Sequence, residues 1–345
     1  MTITITSDSP IPVLARTEAL IVEGTLAGSI AAFTLAKAGR KTTLVASGCS
    51  IPHEMCVCRR AWLKETDLAE LPEEFQHAFQ ESVSETTEDE ELLLNLAQLA
   101  MRVEDILIEA DVQLFYGMKA CGVIRAGEET LTGVVFSGKF GLQAVRADAI
   151  VDGTHSAQIP TLAGQTVKIR ETAGDSLVVT VISKANVTED DVPFAVKEGK
   201  ETDGGSRPQH VCPTAIPAER KLSVTGETAL RDGLIPLHGP FAEFNFRLPF
   251  DFQNPCWQAH LSTATREALI RTGTMVTSQR KAEGKRPLVF HRFSGDILVE
   301  PVFRISPVSP EEPGRPLGLA NVWVCGPAAA TDVSQDSQPF DPFRC

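Results

Sequence analysis

The sequence predicts an α/β protein, with one domain built on a parallel sheet with a β-meander and a second domain of mixed α+β type. Three observations lead there. Short apolar runs at Ala19-Leu-Ile-Val22, Lys41-Thr-Thr-Leu-Val45 and Ala147-Asp-Ala-Ile-Val-Asp152 have the character of strands buried on both faces of a parallel sheet. Between the first two lie a glycine-bearing turn and a helix-length stretch of small residues, the order of a βαβ unit. From Cys121 to Val151, alternating runs separated by glycines have the rhythm of consecutive hairpins.

Taken in order, residues up to about Arg16 read as a lead-in, since Pro10 and Pro12 interrupt regular structure. The strand at Ala19–Val22 is followed by Gly24 and Gly28. A helix is expected from about Ala27 to Ala38, with Ala27, Ile30, Ala31, Thr34, Leu35 and Ala38 on one face and Gly39 ending it. Such a helix points its N-terminus at whatever lies above the sheet. Cys49–Cys58 is expected to be irregular, and a polar helical region follows through Glu81. The acidic run Glu85–Glu91 reads as a solvated loop leading into the negative first turn of a helix. That helix carries Leu92, Leu96, Leu99, Val103, Ile106, Leu107 and Ala110 as one stripe, and Asp111 stands where a left-handed residue ends it. Val112–Tyr116 reads as a strand. The meander strands are Cys121–Arg125, Thr132–Phe136 and Leu142–Arg146, turning at Gly127 and Gly138, and Ala147–Asp152 ends in the polar exit Asp152-Gly-Thr-His155. Ligands of open α/β sheets bind at such carboxyl ends.

Beyond Gly164 the pattern changes. Ser176–Val187 and Phe241–Phe250 read as strands, Gln258–Arg271 as an amphipathic helix and Lys197–Pro208 as a polar loop. Asn321-Val-Trp-Val-Cys-Gly326 is one more buried strand, returning to the first domain. The division expected is 1–164 for the first domain, 165–300 for the second, and 301–345 for the return.

The chain has 345 residues, enough for two domains, and its 43% hydrophobic and 22% charged residues are ordinary for a globular protein. A formal net charge of −13 argues against nucleic acid or an anionic membrane as partner, because either requires a basic face. No apolar run approaches the ~20 residues of a membrane helix, and Met1–Asp8 lacks the basic and apolar regions of a secretory signal. Eight cysteines in this length do not make a disulfide scaffold, so a reduced, cytoplasmic setting is expected.

The order of elements resembles a known family. Ile11-Pro-Val-Leu14, the βαβ start, Ile108-Glu-Ala-Asp-Val112, the meander, Ile150-Val-Asp-Gly-Thr154 and Val322-Trp-Val-Cys-Gly326 are similar to FAD-dependent oxidoreductases of the glutathione-reductase-like superfamily. The bacterial FAD-dependent oxidoreductases grouped near xanthan-lyase-like proteins look closest. The resemblance implies a Rossmann-like FAD-binding domain, FAD as cofactor, a small-molecule substrate and hydride transfer. Glu300-Pro-Val-Phe-Arg-Ile305 looks like a worn form of the family's arginine-bearing strand. The cofactor-binding positions it implies are Glu23, Gly24, Thr25, Ala27, Gly28, Ala46, Ser47, Asp152, Gly153, Thr154 and Gly326. The family's turn reads Gly-x-Gly-x-x-Gly, for the tight turn, the pyrophosphate approach and helix packing respectively. Here Glu23 and Thr25 replace the first two, and Gly28 keeps the third. Ala46 stands where an acidic residue would bind the adenosine ribose, His155 replaces a late glycine, and the family's last helix has no counterpart after Gly326.

These departures leave two further readings beside the oxidoreductase. One is a non-catalytic homologue, a pseudoenzyme or partner-binding subunit in a homo- or hetero-oligomer. The other is a C-terminally truncated chain. Cys49, Cys56 and Cys58 sit where flavoprotein disulfide reductases keep a redox pair. Their spacing fits neither that pair nor a zinc knuckle, so redox chemistry, a metal with His53 as an added ligand and ordinary thiols all stay open. His155, at a strand end, is a candidate catalytic base or phosphate contact. His238, and His291 with Arg292, are candidates for an acidic substrate with no support from spacing. No nucleophile elbow and no phosphate loop of the Gly-x4-Gly-Lys type is present.

Overall fold

The computed structural model describes residues 10–57, 61–86, 91–165, 167–169, 176–184, 241–249, 292–293, 298–299, 303–305 and 314–326. In chain order these form β1 (Val13–Val22), α1 (Leu26–Lys37), β2 (Thr42–Val45), a π-helical turn (His53–Val57), β3 (Trp62–Lys64), α2 (Glu65–Leu68), α3 (Glu73–Glu81), β4 (Val83–Thr86), β5 (Glu91–Leu94), α4 (Leu96–Glu109) and β6 (Gln113–Phe115). There follow β7 (Lys119–Arg125), β8 (Leu131–Gly138), β9 (Gly141–Asp152), α5 (Gln158–Leu162), β10 (Val167–Ile169), β11 (Ser176–Lys184), β12 (Phe241–Pro249), β13 (Arg292–Phe293), β14 (Leu298–Val299), β15 (Phe303–Ile305) and β16 (Val322–Val324). The chain divides into two compact units. The first comprises Met1–His53, Val103–Lys168 and Phe303–Cys345; the second comprises Glu54–Arg102 and Ile169–Val302.

The first unit is organised by one sheet of seven strands, in the order β6-β2-β1-β9-β8-β7, with β16 also paired to β9. β6, β2, β1, β9 and β16 are mutually parallel, and β9, β8 and β7 form the antiparallel meander. β9 joins both parts. Its first half pairs with β8 through Leu142–Arg146, and its last three residues pair with β16, Ile150 opposite Val322 and Asp152 opposite Val324. The two runs Leu142–Arg146 and Ala147–Asp152 are therefore one twelve-residue strand, because β1 pairs along nearly its whole length.

β1 is likewise longer than its apolar run, starting at Val13 rather than after a lead-in through Arg16. Proline blocks a strand only where its missing N–H is needed; Pro12 lies just outside, and its carbonyl accepts the Ala144 N–H at 2.8 Å. The core of the sheet is Leu20, Val22, Val45, Leu131, Val134, Phe136, Val145, Ile150 and Val322, all below 4% exposure. Asn321 ties β16 to the meander, accepting the Leu131 N–H (3.1 Å) and donating to the carbonyls of Leu131 (2.7 Å) and Asp148 (2.6 Å).

α1 spans Leu26–Lys37, as its spacing predicts, but it buries Leu26, Gly28, Ser29, Ala32 and Phe33 rather than the expected face. The helix is apolar or small nearly all round, so periodicity could not single out a face. It ends at Ala38 and Gly39, the glycine at φ +79°. Asp111 closes α4 at φ +63°, as expected of a left-handed end.

In the second unit β5 pairs with both β3 and β4, antiparallel. The acidic run therefore leads into strand rather than helix, and Leu92 lies in β5. The helix starts only at Leu96, where the Asn95 side chain accepts the N–H groups of Ala97 and Gln98, both at 3.2 Å, as an N-cap. Along α4, Leu96, Leu99, Val103 and Leu107 are buried, at the spacing of the expected stripe. β11 pairs antiparallel with β12 over nine residues, Ser176 opposite Pro249 through Lys184 opposite Phe241. Lys197–Pro208, Gln258–Arg271, His238, His291 and Cys58 lie outside the described residues.

Candidate functional site

Four parallel strands of the first unit end side by side, and the backbone ladders continue past their last residues. The Glu23 N–H donates to Val45 O at 2.8 Å, Gly153 N–H to Val22 O at 2.8 Å, Cys325 N–H to Asp152 O at 2.9 Å, and Ala46 N–H to Phe115 O at 2.8 Å. This draws the exits of β1, β2, β9 and β16 into one rim. Glu23, Gly24, Thr25, Ala46, Ser47, Asp152, Gly153, Thr154 and Gly326 all lie on it. Gly326, at φ +76°, comes against the first turn of α1: a Cβ placed on it would lie 3.7 Å from that of Ala27. Every cofactor position implied by the resemblance thus lies on this rim or on the helix turn beside it.

The β1–α1 turn keeps the backbone of a glycine turn although its residues differ. Glu23, in the first-glycine position, has φ +83°, a conformation costing a side-chain-bearing residue about 1–2 kcal/mol. Thr25, in the second, has φ −70° and ψ 170°, which any residue adopts. Its side chain turns inward: Oγ1 accepts the Gly28 N–H at 3.1 Å as the N-cap of α1 and donates to Gly153 O at 3.0 Å. Thr25 is 2% exposed, so its side chain is spent inside the fold. Gly28 keeps the packing role in full. A Cβ there would come 2.4 Å from the Glu23 carbonyl oxygen and 3.4 Å from Ile21 Cγ2. At Gly153 a Cβ would meet Glu23 O, Thr25 Oγ1 and Val22 O at 3.1–3.2 Å, so this glycine makes room for the β1–α1 turn.

Glu23 carries its carboxylate sideways to the end of β2. Oε1 accepts the N–H groups of Gly24 (3.0 Å) and Ser47 (3.2 Å), and His53 Nδ1 lies 3.9 Å away. The turn is flanked by the next segment, in which the His53 N–H donates to Gly24 O at 2.8 Å and Ile51 packs on Gly24, leaving no space for a Cβ.

Asp152 is fully buried at the end of β9, and sequence reasoning placed it without seeing what holds it. Oδ1 accepts the Thr154 N–H at 2.8 Å and Oδ2 the Ile159 N–H at 2.7 Å. Burial pushes its carboxyl up to about 6; the bonds from Thr154 and Ile159 oppose the rise, and the nearby Glu23 carboxylate adds to it. The carboxyl thereby ties the β9 exit to α5. His155 follows at the same exit, half-buried.

Of the three cysteines Cys49, Cys56 and Cys58, Cys49 and Cys56 fall among the described residues. Cys49 is exposed, and Cys56 is half-buried with its Sγ 3.5 Å from Leu96 O. Among the described residues no group of three or more His, Cys, Asp or Glu side chains is placed to hold a metal. No helix among them is long and apolar enough to cross a membrane.

The rim gathers the carboxyl ends of the parallel strands beside the N-terminus of α1, the place where ligands of open α/β sheets bind. Gly28 and Gly153 let the turn and the first turn of α1 pack against the strand exits, and a carboxylate stands at the end of β2, the backbone frame that a dinucleotide turn needs. Solved structures share the fold. OxyS anhydrotetracycline hydroxylase of Streptomyces rimosus aligns with TM-score 0.52 at 13% identity, covering 91% of this chain and 56% of that one. A geranylgeranyl bacteriochlorophyll reductase-like protein of Thermoplasma acidophilum aligns with TM-score 0.50 at 12% identity, covering 91% and 72%. The Diels-Alderase PyrE3 aligns with TM-score 0.50 at 13% identity, covering 91% and 60%. The chain thus spans little more than half the length of the hydroxylase. No curated protein matches the sequence. The model of the FAD dependent oxidoreductase family matches residues 18–224, more than half of the chain. The protein belongs to the FAD dependent oxidoreductase family, with FAD as the family's cofactor.

Proposed function

We propose that this chain is a flavin-dependent oxidoreductase that transfers a hydride between a small organic substrate and FAD. The observation that carries the reading is the rim itself: four strand exits and the N-terminus of α1 meet at a turn that retains a positive φ at Glu23 and Cβ-free positions at Gly28 and Gly153. Bound there, FAD would supply the two-electron chemistry, and the protein would supply orientation and electrostatics. Residues 23–28 would hold the diphosphate at the start of α1, where the helix dipole favours an anion. Glu23, Ala46 and Ser47 would flank the adenosine, and Asp152–Thr154 and Gly326 the flavin side. The cofactor-binding role falls to 1–164 with 301–345, and the substrate-binding role to 165–300. His155 is the candidate proton acceptor for the substrate.

A second reading, a non-catalytic homologue, draws on Glu23 and Ala46, which replace a glycine and a ribose-binding acid. Anaerobic mixing of FAD-loaded protein with reduced nicotinamide, as a hydride donor, and with a panel of small alcohols and amines separates the two. Bleaching of the flavin's visible absorption by any of them supports the oxidoreductase. Stable FAD binding without bleaching by any of them supports the second reading.

A further inference from the structure

The end of β2 lacks the acidic side chain that would bind the adenosine ribose, since Ala46 stands there, fully buried. A carboxylate nevertheless occupies that end of the strand. Glu23, from the neighbouring strand's exit, holds Oε1 on the Ser47 N–H at 3.2 Å and on the Gly24 N–H at 3.0 Å. Both bonds fall on the one oxygen and hold it at the β1–β2 rim. Oε2 makes no hydrogen bond among the described residues, and the side chain keeps 13% of its exposure. With Oε1 taken by the backbone, Oε2 remains an ionised acceptor for one hydroxyl of a ligand.

We infer that Glu23 is the ribose acceptor of this site, the acid having moved from the end of β2 to the turn after β1. The strained φ of +83° at Glu23 then has a ligand-binding reason, since from this position the side chain reaches across to Ser47. The inference rests on the FAD reading above and deepens it.

The test compares the wild-type chain with Glu23→Gln and Glu23→Gly, titrated with FAD and separately with FMN by flavin fluorescence quenching. Glu23→Gln keeps the Oε1 acceptor, and with it both backbone bonds, while turning Oε2 into a donor. Glu23→Gly removes the carboxylate and relieves the backbone. Loss of one charge-assisted bond predicts that FAD affinity falls about tenfold or more in both variants. FMN, which has no adenosine, is bound equally, or equally poorly, by all three proteins. FAD affinity in either variant equal to or above wild type overturns the inference, and so does a parallel loss of FMN. Absence of FAD binding by the wild type overturns it together with the FAD reading of the site. Wild-type binding with undiminished variants sinks the ribose assignment alone.

Discussion

Replacing Gly28 by alanine isolates the packing of α1 on the strand exits. In an open helix this change stabilises by about 0.5–1 kcal/mol, because glycine loses more backbone entropy on folding. Here the new Cβ would lie 2.4 Å from the Glu23 carbonyl oxygen, 3.2 Å from Thr25 Oγ1 and 3.4 Å from Ile21 Cγ2. The nearest of these is backbone in a turn already at positive φ, so no rotamer change relieves it, and the helix must lift from the strand. Overpacking of this kind costs about 1–3 kcal/mol, and with a backbone atom as the obstacle the upper end applies. Subtracting the helical gain leaves a loss of about 2 kcal/mol, or roughly 4–8 °C of thermal midpoint for a unit of this size. Gly153→Ala, with three contacts at 3.1–3.2 Å, should lose about half as much, because each neighbour needs to give only slightly. Gly127→Ala, with nothing within 4 Å, should stay within about 0.5 kcal/mol of wild type. Circular dichroism melts of the three variants check the series. A Gly28→Ala protein as stable as wild type, or an inverted order, would refute the claim that α1 is seated on the turn through this glycine.

Three other outcomes are expected. Asp152 is raised to about 6 in the folded protein, so between its unfolded value and about 6 the native state holds the extra proton, and stability from this group falls as pH rises through that window. Asp152→Asn should flatten the difference between melts at pH 4 and pH 7 by about 3 kcal/mol at most, and an unchanged pH profile would count against a buried, proton-holding Asp152. Thr25→Val removes both the cap of α1 and the donor to Gly153, costing about 1–2 kcal/mol, while Thr25→Ser keeps most of it; equal urea midpoints for Val and Ser would be contrary. Asn321→Ala breaks three bonds joining β16 to the meander and should cost about 2 kcal/mol in urea denaturation, with a loss below 0.5 kcal/mol opposing the account.

Much of the first unit was legible because parallel strands buried on both faces read as unbroken apolar runs. Ala19–Val22, Lys41–Val45 and Asn321–Gly326 all lie where those runs predict. Asp111 and Gly39 were legible as helix ends because a left-handed residue tolerates few side chains. The face of α1 was not, since a helix of alanine and small residues has no polar side to orient it. The strands β4 and β5 were hidden by charge, because Glu85 and Glu91, which belong to a small antiparallel sheet, sit at the ends of an acidic run that reads as a solvated loop. At the site, the glycine pattern located the turn, but not what its substitutes do. Thr25 counts as a lost glycine in sequence, yet its extended backbone and inward hydroxyl make it a helix cap. Glu23 counts as a misplaced charge, yet its carboxylate reaches Ser47, twenty-four residues on. Neither bond has a spacing signature; each depends on which strand exits the sheet places side by side.

The account's central claim is that the rim formed by β1, β2, β9 and β16 binds FAD. Titrating the purified chain with FAD, and following flavin fluorescence and the thermal midpoint together, tests it most directly. Saturable one-to-one quenching with a rise in midpoint is predicted, because a ligand at a hundredfold excess over its dissociation constant stabilises by about 2.7 kcal/mol. A colourless protein that neither quenches added FAD nor melts later in its presence would contradict it.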